Sequence, residues 1–208
     1  MMSNCHFFKN AYATLLLLLF SNILMSQNME KQKADNVSAT YGIAIDAPIE
    51  KVWAVLAVDF GGIGKWASGV NHSEGVGQGE GLEGATCSER ACKINAIGFS
   101  NAKERIIKFD AENHILAYTI YEGVPGFVKN FVNQWTLEQR GAGTLVTARS
   151  TMRATGLMGW MMKGFMRSST EGVLRKMGEE LKHYVEKGEP HPRKVEAIAK
   201  FEKKNAKK

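Results

Sequence analysis

The sequence is poor in the residue constellations that announce a particular chemistry. It has three cysteines and five histidines in 208 residues, too few for a disulfide framework. Cys5 lies in the N-terminal segment, leaving Cys87 and Cys92. On one continuous strand these two would face opposite sides, about 16 Å apart, so a bridge between them needs a kink or turn at Ser88–Ala91. No histidine stands near either cysteine at zinc-ligand spacing, so no metal is expected, and no cofactor either. Ser68, Ser73 or Cys87 can be paired on paper with His72, His114, His183 or His191, but no nucleophile-elbow motif supports any pairing. Gly75-Val76-Gly77-Gln78-Gly79 lacks the following Lys-Ser/Thr and helix start of a phosphate loop, and reads as a flexible crossing.

A long apolar run is missing too. Ala11 to Leu24 form the most apolar segment, unbroken from Leu15 to Phe20, with Lys9 as the only charge before it. That run is short for a membrane span of about 20 residues and fits an export signal, with Ser26 as the small residue before a cut. Residues 1–26 are therefore expected to be a signal peptide and residues 27–36 a polar leader. The mature chain would be periplasmic or secreted, or membrane-anchored if the run is not cut.

Charge of one sign is also scarce in the body. The net charge of +6 is concentrated at the end, where residues 187–208 hold eight Lys or Arg against three Glu. The alkaline isoelectric point thus describes a tail, and no nucleic-acid surface follows from it. The tail, residues 188–208, reads as basic, solvated and flexible. Val195, Ile198 and Phe201 lie at helical spacing within it, so weak contact with a membrane surface is the second reading.

What remains is ordinary globular composition, 44% hydrophobic and 23% charged, enough for one domain over residues 37–187. Its most regular feature is Leu157 to Lys187. Met158, Met161, Met162, Phe165, Met166, Val173, Leu174, Met177, Leu181, Tyr184 and Val185 recur at three- and four-residue steps, which predicts one buried face of a long helix. Five methionines make that face adaptable, as a variable ligand would require, although by itself such a stripe is more often a core helix with Met as gap-filler. Gly159, Gly164, Gly172 and Gly178 weaken the helix and imply close backbone approach or deliberate space.

The residues before it alternate. Strands are expected over 37–46, 85–93, 102–110, 115–122, 128–139 and 144–154. Pro48 opens a short helix carrying Ile49, Val52, Trp53 and Leu56. Asp110–Asn113 and Arg140–Gly143 read as hairpin turns, and the glycines from Gly69 to Gly84 as a turn-rich crossing. Strand, short helices, about six strands and a long helix add up to an α+β fold, an antiparallel sheet packed on the terminal helix.

Particular residues sharpen this. Ile45-Asp46-Ala47-Pro48…Val52-Trp53, Asp59-Phe60…Lys65-Trp66, Ala102-Lys103-Glu104-Arg105-Ile106-Ile107, Ala117-Tyr118-Thr119-Ile120 and Glu122-Gly123…Gly126-Phe127 come in a characteristic order. Together they resemble the START-like SRPBCC superfamily in its polyketide cyclase/dehydrase branch. Within it the chain is most similar to lachrymatory-factor-synthase-like proteins, and more distantly to abscisic-acid-receptor-like ones. The resemblance implies a helix-grip fold, a curved sheet of six or seven strands around the long helix, enclosing an apolar cavity.

Residue by residue, the resemblance places Lys65 where receptor-like members pair with a ligand carboxylate. It places Glu104 on an inward acid used for water networks or proton transfer. Tyr118 matches an inward aromatic, and Phe131 stands where relatives carry a cavity tyrosine. Ile120, Met162, Phe165 and Met166 complete the expected ligand-binding set, with Glu104 the candidate catalytic group. The catalytic arginine of the synthase-like proteins is read as replaced near Cys87, and the receptor gating loop is missing from Ala91–Ser100. Neither activity therefore carries over.

From pattern alone, Tyr118 shares the apolar face of its strand with Leu116 and Ile120. Glu104 stays open between a solvent-facing ion pair and a buried anchor, and Lys65 between surface and pocket. The expected function is an exported binder or carrier of a small hydrophobic molecule. The alternatives are a cyclase- or isomerase-type enzyme using Glu104 as proton shuttle, and an interaction module with a filled cavity. Oligomeric state is not legible.

Overall fold

A computed structural model describes residues 36–79, 82–96 and 99–206, with the side chains of 95, 96 and 99 outside the description. The expected signal peptide and nearly all of the leader lie outside the described residues. Among those described, no helix is long and apolar enough to cross a membrane.

Seven antiparallel strands form one sheet: β1 (Asn36–Ile45), β2 (Val70–Val76), β3 (Glu89–Ala96), β4 (Phe99–Asp110), β5 (Ile115–Glu122), β6 (Val128–Arg140) and β7 (Gly143–Ala154). Their order is β1-β7-β6-β5-β4-β3-β2, so the first strand closes onto the last. The expected hairpin turns are present. Asn113 N donates to Asp110 Oδ1, and Gly141 takes φ 61° between the paired residues Arg140 and Gly143.

β2 is the strand that pattern did not give. Asn71-His72-Ser73-Glu74-Gly75 has no apolar alternation, because β2 is an edge strand that gets its ladder from β3 rather than from burial. The following strand is correspondingly shifted, beginning at Glu89 rather than Ala85.

α1 (Ile49–Trp53) starts after Pro48 and loosens into a π turn over Ala54–Val58, then a 3-10 helix over Phe60–Lys65. Val52, Trp53, Leu56, Ala57, Phe60 and Ile63 from this stretch are buried in the main core. The long helix α2 (Gly156–Lys187) lies where expected, but only half of its apolar stripe is covered. Leu174, Leu181 and Val185 are buried, with Met177 and Tyr184 packed against the same core. Each such side chain contributes about 1.5–3 kcal/mol when removed from water. In the N-terminal half, Met158, Met161 and Phe165 are exposed, against expectation. Two glycines explain how the helix still meets the sheet. A Cβ on Gly159 would lie 2.6 Å from the Ala154 carbonyl carbon, and one on Gly178 would lie 2.9 Å from the Tyr41 ring. Gly164 and Gly172 face open space.

The tail also departs from expectation. Rather than remaining a solvated extension, it folds into α3 (Pro192–Asn205), with Lys194 and Ala197 buried. His191 caps it through Nδ1, which accepts from Arg193 N, and Pro192 fits the first turn. Glu180 of α2 is the anchor. Its carboxylate accepts from Ser68 N at 2.9 Å, Ser68 Oγ at 2.6 Å and Arg193 Nε at 2.9 Å. Lys194 Nζ donates to the Val70 carbonyl at 2.6 Å. A Lys-rich composition reads as solvated, but two of these cations have specific acceptors within the domain.

Candidate ligand site on the concave face

Alternation in β4 puts Ala102, Glu104 and Ile106 on the buried face and Lys103, Arg105 and Ile107 outside. Glu104 is 7% exposed, which decides between the two readings the sequence left open. Its partner is Arg90, directly opposite on β3 and 3% exposed, whose Nε donates to Glu104 Oε2. Arg90 Nη1 donates to the Phe60 carbonyl at 2.9 Å.

Two aromatic rings complete the enclosure. The Arg90 guanidinium carbon lies 3.9 Å from the Phe60 ring centroid and 4.7 Å from that of Tyr118. The rings themselves meet edge to face at 5.3 Å. Cation–π contacts of this kind strengthen when water is excluded. Burial opposes the charge on Arg90, yet the Glu104 carboxylate outweighs it, so the guanidinium is held more firmly protonated than usual. Burial likewise pushes the Tyr118 hydroxyl up to about 12, and Cys92, with Glu104 adding to the effect, also to about 12.

The polar groups continue across the sheet. Tyr118 stands opposite Asn133 on β6, and Asn133 opposite Ser150 on β7. Ser150 Oγ donates to Asn133 Oδ1, both residues being buried. Arg90, Glu104, Tyr118, Asn133 and Ser150 thus form a polar band over five strands of an otherwise apolar inner face. A second, smaller apolar cluster of Val37, Val128, Met152 and Ala154 carries Phe131 and Met166 against it.

The expected site residues are therefore only partly gathered. Glu104 and Tyr118 share the Arg90 guanidinium. Ile120 is opposite both Glu104 and Phe131, which ties the band to the second cluster. Met162 and Met166 are half-buried. Phe165, expected to line the cavity, is 67% exposed, because the helix turns that face outward. Lys65 is set apart from Glu104's ion pair. It lies at the end of the 3-10 helix, largely exposed, with Nζ donating to Asp59 Oδ2 at 2.6 Å. The hydrogen bond to Asp59 and that residue's charge raise its pKa.

Lys65 instead borders a cleft of about 460 Å³ lined also by Asp59, Asn71, His72, Thr86, Cys87 and several glycines.

Arg90 is the residue that sequence reasoning missed. It stands on β3 three residues after Cys87 and is buried. The available signal was its pairing across a hairpin with Glu104, two opposite charges on the buried sides of adjacent strands. Cys87 and Cys92 are both buried and free. No group of three or more potential metal ligands occurs among the described residues.

Residues 36–186 match the family model described as polyketide cyclase / dehydrase and lipid transport. The chain belongs to that family. Solved structures support the same fold for this polyketide cyclase/dehydrase-type domain. A START superfamily protein from Mycobacterium smegmatis is 10% identical, with a TM-score of 0.59 over 72% of this chain and 97% of its own. An uncharacterized protein from Bacillus thuringiensis is 18% identical, with a TM-score of 0.57 over 72% and 98%. A protein from Thermus thermophilus is 18% identical, with a TM-score of 0.56 over 71% and 96%. No curated protein matches. At these identities the structures establish the helix-grip architecture of the family domain and not an activity.

Proposed function

We propose that this protein binds or carries a small lipophilic molecule on the concave face of the sheet, with the Arg90–Glu104 pair as its polar anchor. The observation that carries this reading is the pair itself. A charge pair at 3% and 7% exposure costs several kcal/mol of desolvation per ion, so a folded domain gains little stability by keeping it. A guanidinium has five N–H donors; Glu104, the Phe60 carbonyl, Tyr118 and Cys92 engage part of that fork, and an oxygen on an otherwise apolar ligand suits the remainder. Family membership, which covers lipid transport, is consistent with that chemistry. The N-terminal apolar run fits a carrier that acts after export, in the periplasm or outside the cell.

A second reading uses the same groups as an enzyme of cyclase or isomerase type. Carboxylate, phenol and guanidinium meet at one place, with Glu104 to move a proton and Tyr118 or Arg90 to polarise an oxygen. It requires Glu104 to leave its ion pair during the proton transfer, which makes carriage the preferred reading.

Native mass spectrometry of the gently purified protein, followed by organic extraction, tests both. A stoichiometric apolar adduct is expected, and Glu104→Gln should keep most of the affinity for the extracted compound. If Glu104→Gln keeps binding but abolishes conversion of that compound, the enzymatic reading replaces carriage. A protein that is empty and binds no member of a panel of lipids and aromatic polyketide-like compounds would defeat both and favour an interaction module.

A further inference from the structure

Large apolar side chains are exposed together at one place on this molecule. Leu157 is 74% exposed, Trp160 74%, Met161 63% and Phe165 67%, with Met158 beside them at 54%. On a helix, residues 157, 161 and 165 form one row at four-residue steps and Trp160 lies next to it, so the five make a contiguous strip over the first turns of α2. Such a strip is not what a helix leaves bare in water without a partner.

The charges around it name the partner. Toward the start of α2 the chain supplies Lys129, Arg153, Lys163 and Arg167, whereas Arg140 is paired with Glu138 at the opposite end of β6. Lys163 and Arg167 ride on α2 itself, where the first acid is Glu171. Lys129 and Arg153 stand directly opposite each other at the end of β6 and β7, next to the start of α2. Like charges in register repel, and Arg153 Nε is buried without a hydrogen-bond partner among the described residues.

We infer that the N-terminal half of α2 docks on an anionic lipid bilayer, Leu157, Trp160, Met161 and Phe165 entering the headgroup boundary and the surrounding Lys and Arg meeting lipid phosphates. A helix with an apolar strip and flanking cations, too polar to span, is the form that lies in the interface plane. Tryptophan suits that depth, with an apolar ring and one N–H.

The chain enters the domain at the same end. Val37 belongs to the cluster against which Met166 packs, and Arg167 Nε donates to the Ser38 carbonyl. The basic tail, by contrast, is attached at Glu179 and Glu180, some 28 Å further along the helix axis at about 1.5 Å per residue. Of its lysines, Lys194 is tied to the Val70 carbonyl. This surface stands on its own observations and does not depend on what the concave face binds.

The four tryptophans make the test specific, because Trp53, Trp66 and Trp135 are at most 4% exposed and only Trp160 is accessible. Full-length protein is mixed with vesicles of phosphatidylcholine alone, or with about one third phosphatidylglycerol, each made with and without brominated acyl chains. Quenching by the brominated anionic vesicles is expected, weakening with salt and absent in Trp160→Phe. Leu157→Ser combined with Phe165→Ser should lower partitioning about tenfold or more.

Equal quenching on neutral vesicles would overturn the assignment to an anionic surface. Co-sedimentation without quenching would show that the N-terminal run holds the chain while this face stays in water, and would overturn the docking itself. Concentration-dependent self-association without vesicles, abolished by Phe165→Ser and unaccompanied by quenching, would assign the strip to a second copy of the chain.

Discussion

Arg90 and Glu104 occupy directly opposed positions on β3 and β4, and the Phe60 carbonyl takes a further N–H of the same guanidinium. The pair is thereby fixed from two elements at once, the sheet and the 3-10 helix. Removing one partner leaves an uncompensated buried charge. Arg90→Met or Glu104→Gln alone is expected to lower the unfolding free energy by about 3–5 kcal/mol. The double variant Arg90→Met/Glu104→Leu should recover much of that loss, because the desolvation cost disappears with both charges. Urea denaturation of the three variants checks this. A double variant as unstable as the sum of the singles would show that the site depends on specific hydrogen bonding rather than charge balance.

Glu180 joins three segments through Ser68, Arg193 and its own helix. Hydrogen bonds to a charged acceptor contribute about 1.5–3 kcal/mol each, so Glu180→Gln should destabilise the protein by about 3 kcal/mol and free α3. Arg193→Ala removes a half-exposed partner and should cost about 1 kcal/mol. Hydrogen exchange over Pro192–Asn205 separates the two effects, rising strongly in the first variant and modestly in the second.

Attachment of α3 is expected to depend on pH through His191. Burial, followed by the nearby positive charges of Arg193 and His183, holds its imidazole below the ordinary histidine range, although Glu180 and Glu179 act in the opposite sense. The unfolded chain then binds more protons than the native one just below about pH 6.5. Stability is fully present above that value and is lost as pH falls through the folded pKa. Protonation also removes the Nδ1 acceptor that caps α3. The melting temperature should drop between pH 7.5 and 5, and His191→Asn, which keeps a capping oxygen, should flatten that part of the drop.

Cys92 is expected to be chemically silent. Its thiol is buried and pushed up to about 12, so almost no thiolate exists near neutrality. Labelling with a maleimide at pH 7.5, read by peptide mapping, should leave Cys92 unmodified in the native protein and modify it fully in guanidinium. Native labelling would mean that the Arg90 side of the sheet opens readily.

Much of this architecture is legible in the residue pattern because it rests on local rules. Tyr118 is inward because Leu116 and Ile120 share its face, and the hairpins follow from their Asp, Asn and Gly residues. What pattern missed is non-local. β2 has no apolar period and exists only through β3. Arg90 looks like one more surface arginine until Glu104 is placed across from it. The stripe from Met158 to Val185 has one period throughout, and nothing in that period tells that Leu181 meets the sheet while Phe165 meets solvent. Lys194 carries the signature of a solvated tail, and its acceptor, the Val70 carbonyl, is 124 residues away.

The closure of β1 onto β7 has a consequence for how the molecule comes into being. Every other neighbouring pair of strands is consecutive in the chain, so six strands can zip by short-range steps. The first strand waits for a partner made about a hundred residues later, and the helix that covers both comes later still. Such long loop closures slow folding. During synthesis the amino-terminal strand therefore stays unpaired until residue 154 has emerged. A chain interrupted before that point has an open sheet edge at β6, exposed to aggregation and to proteolysis.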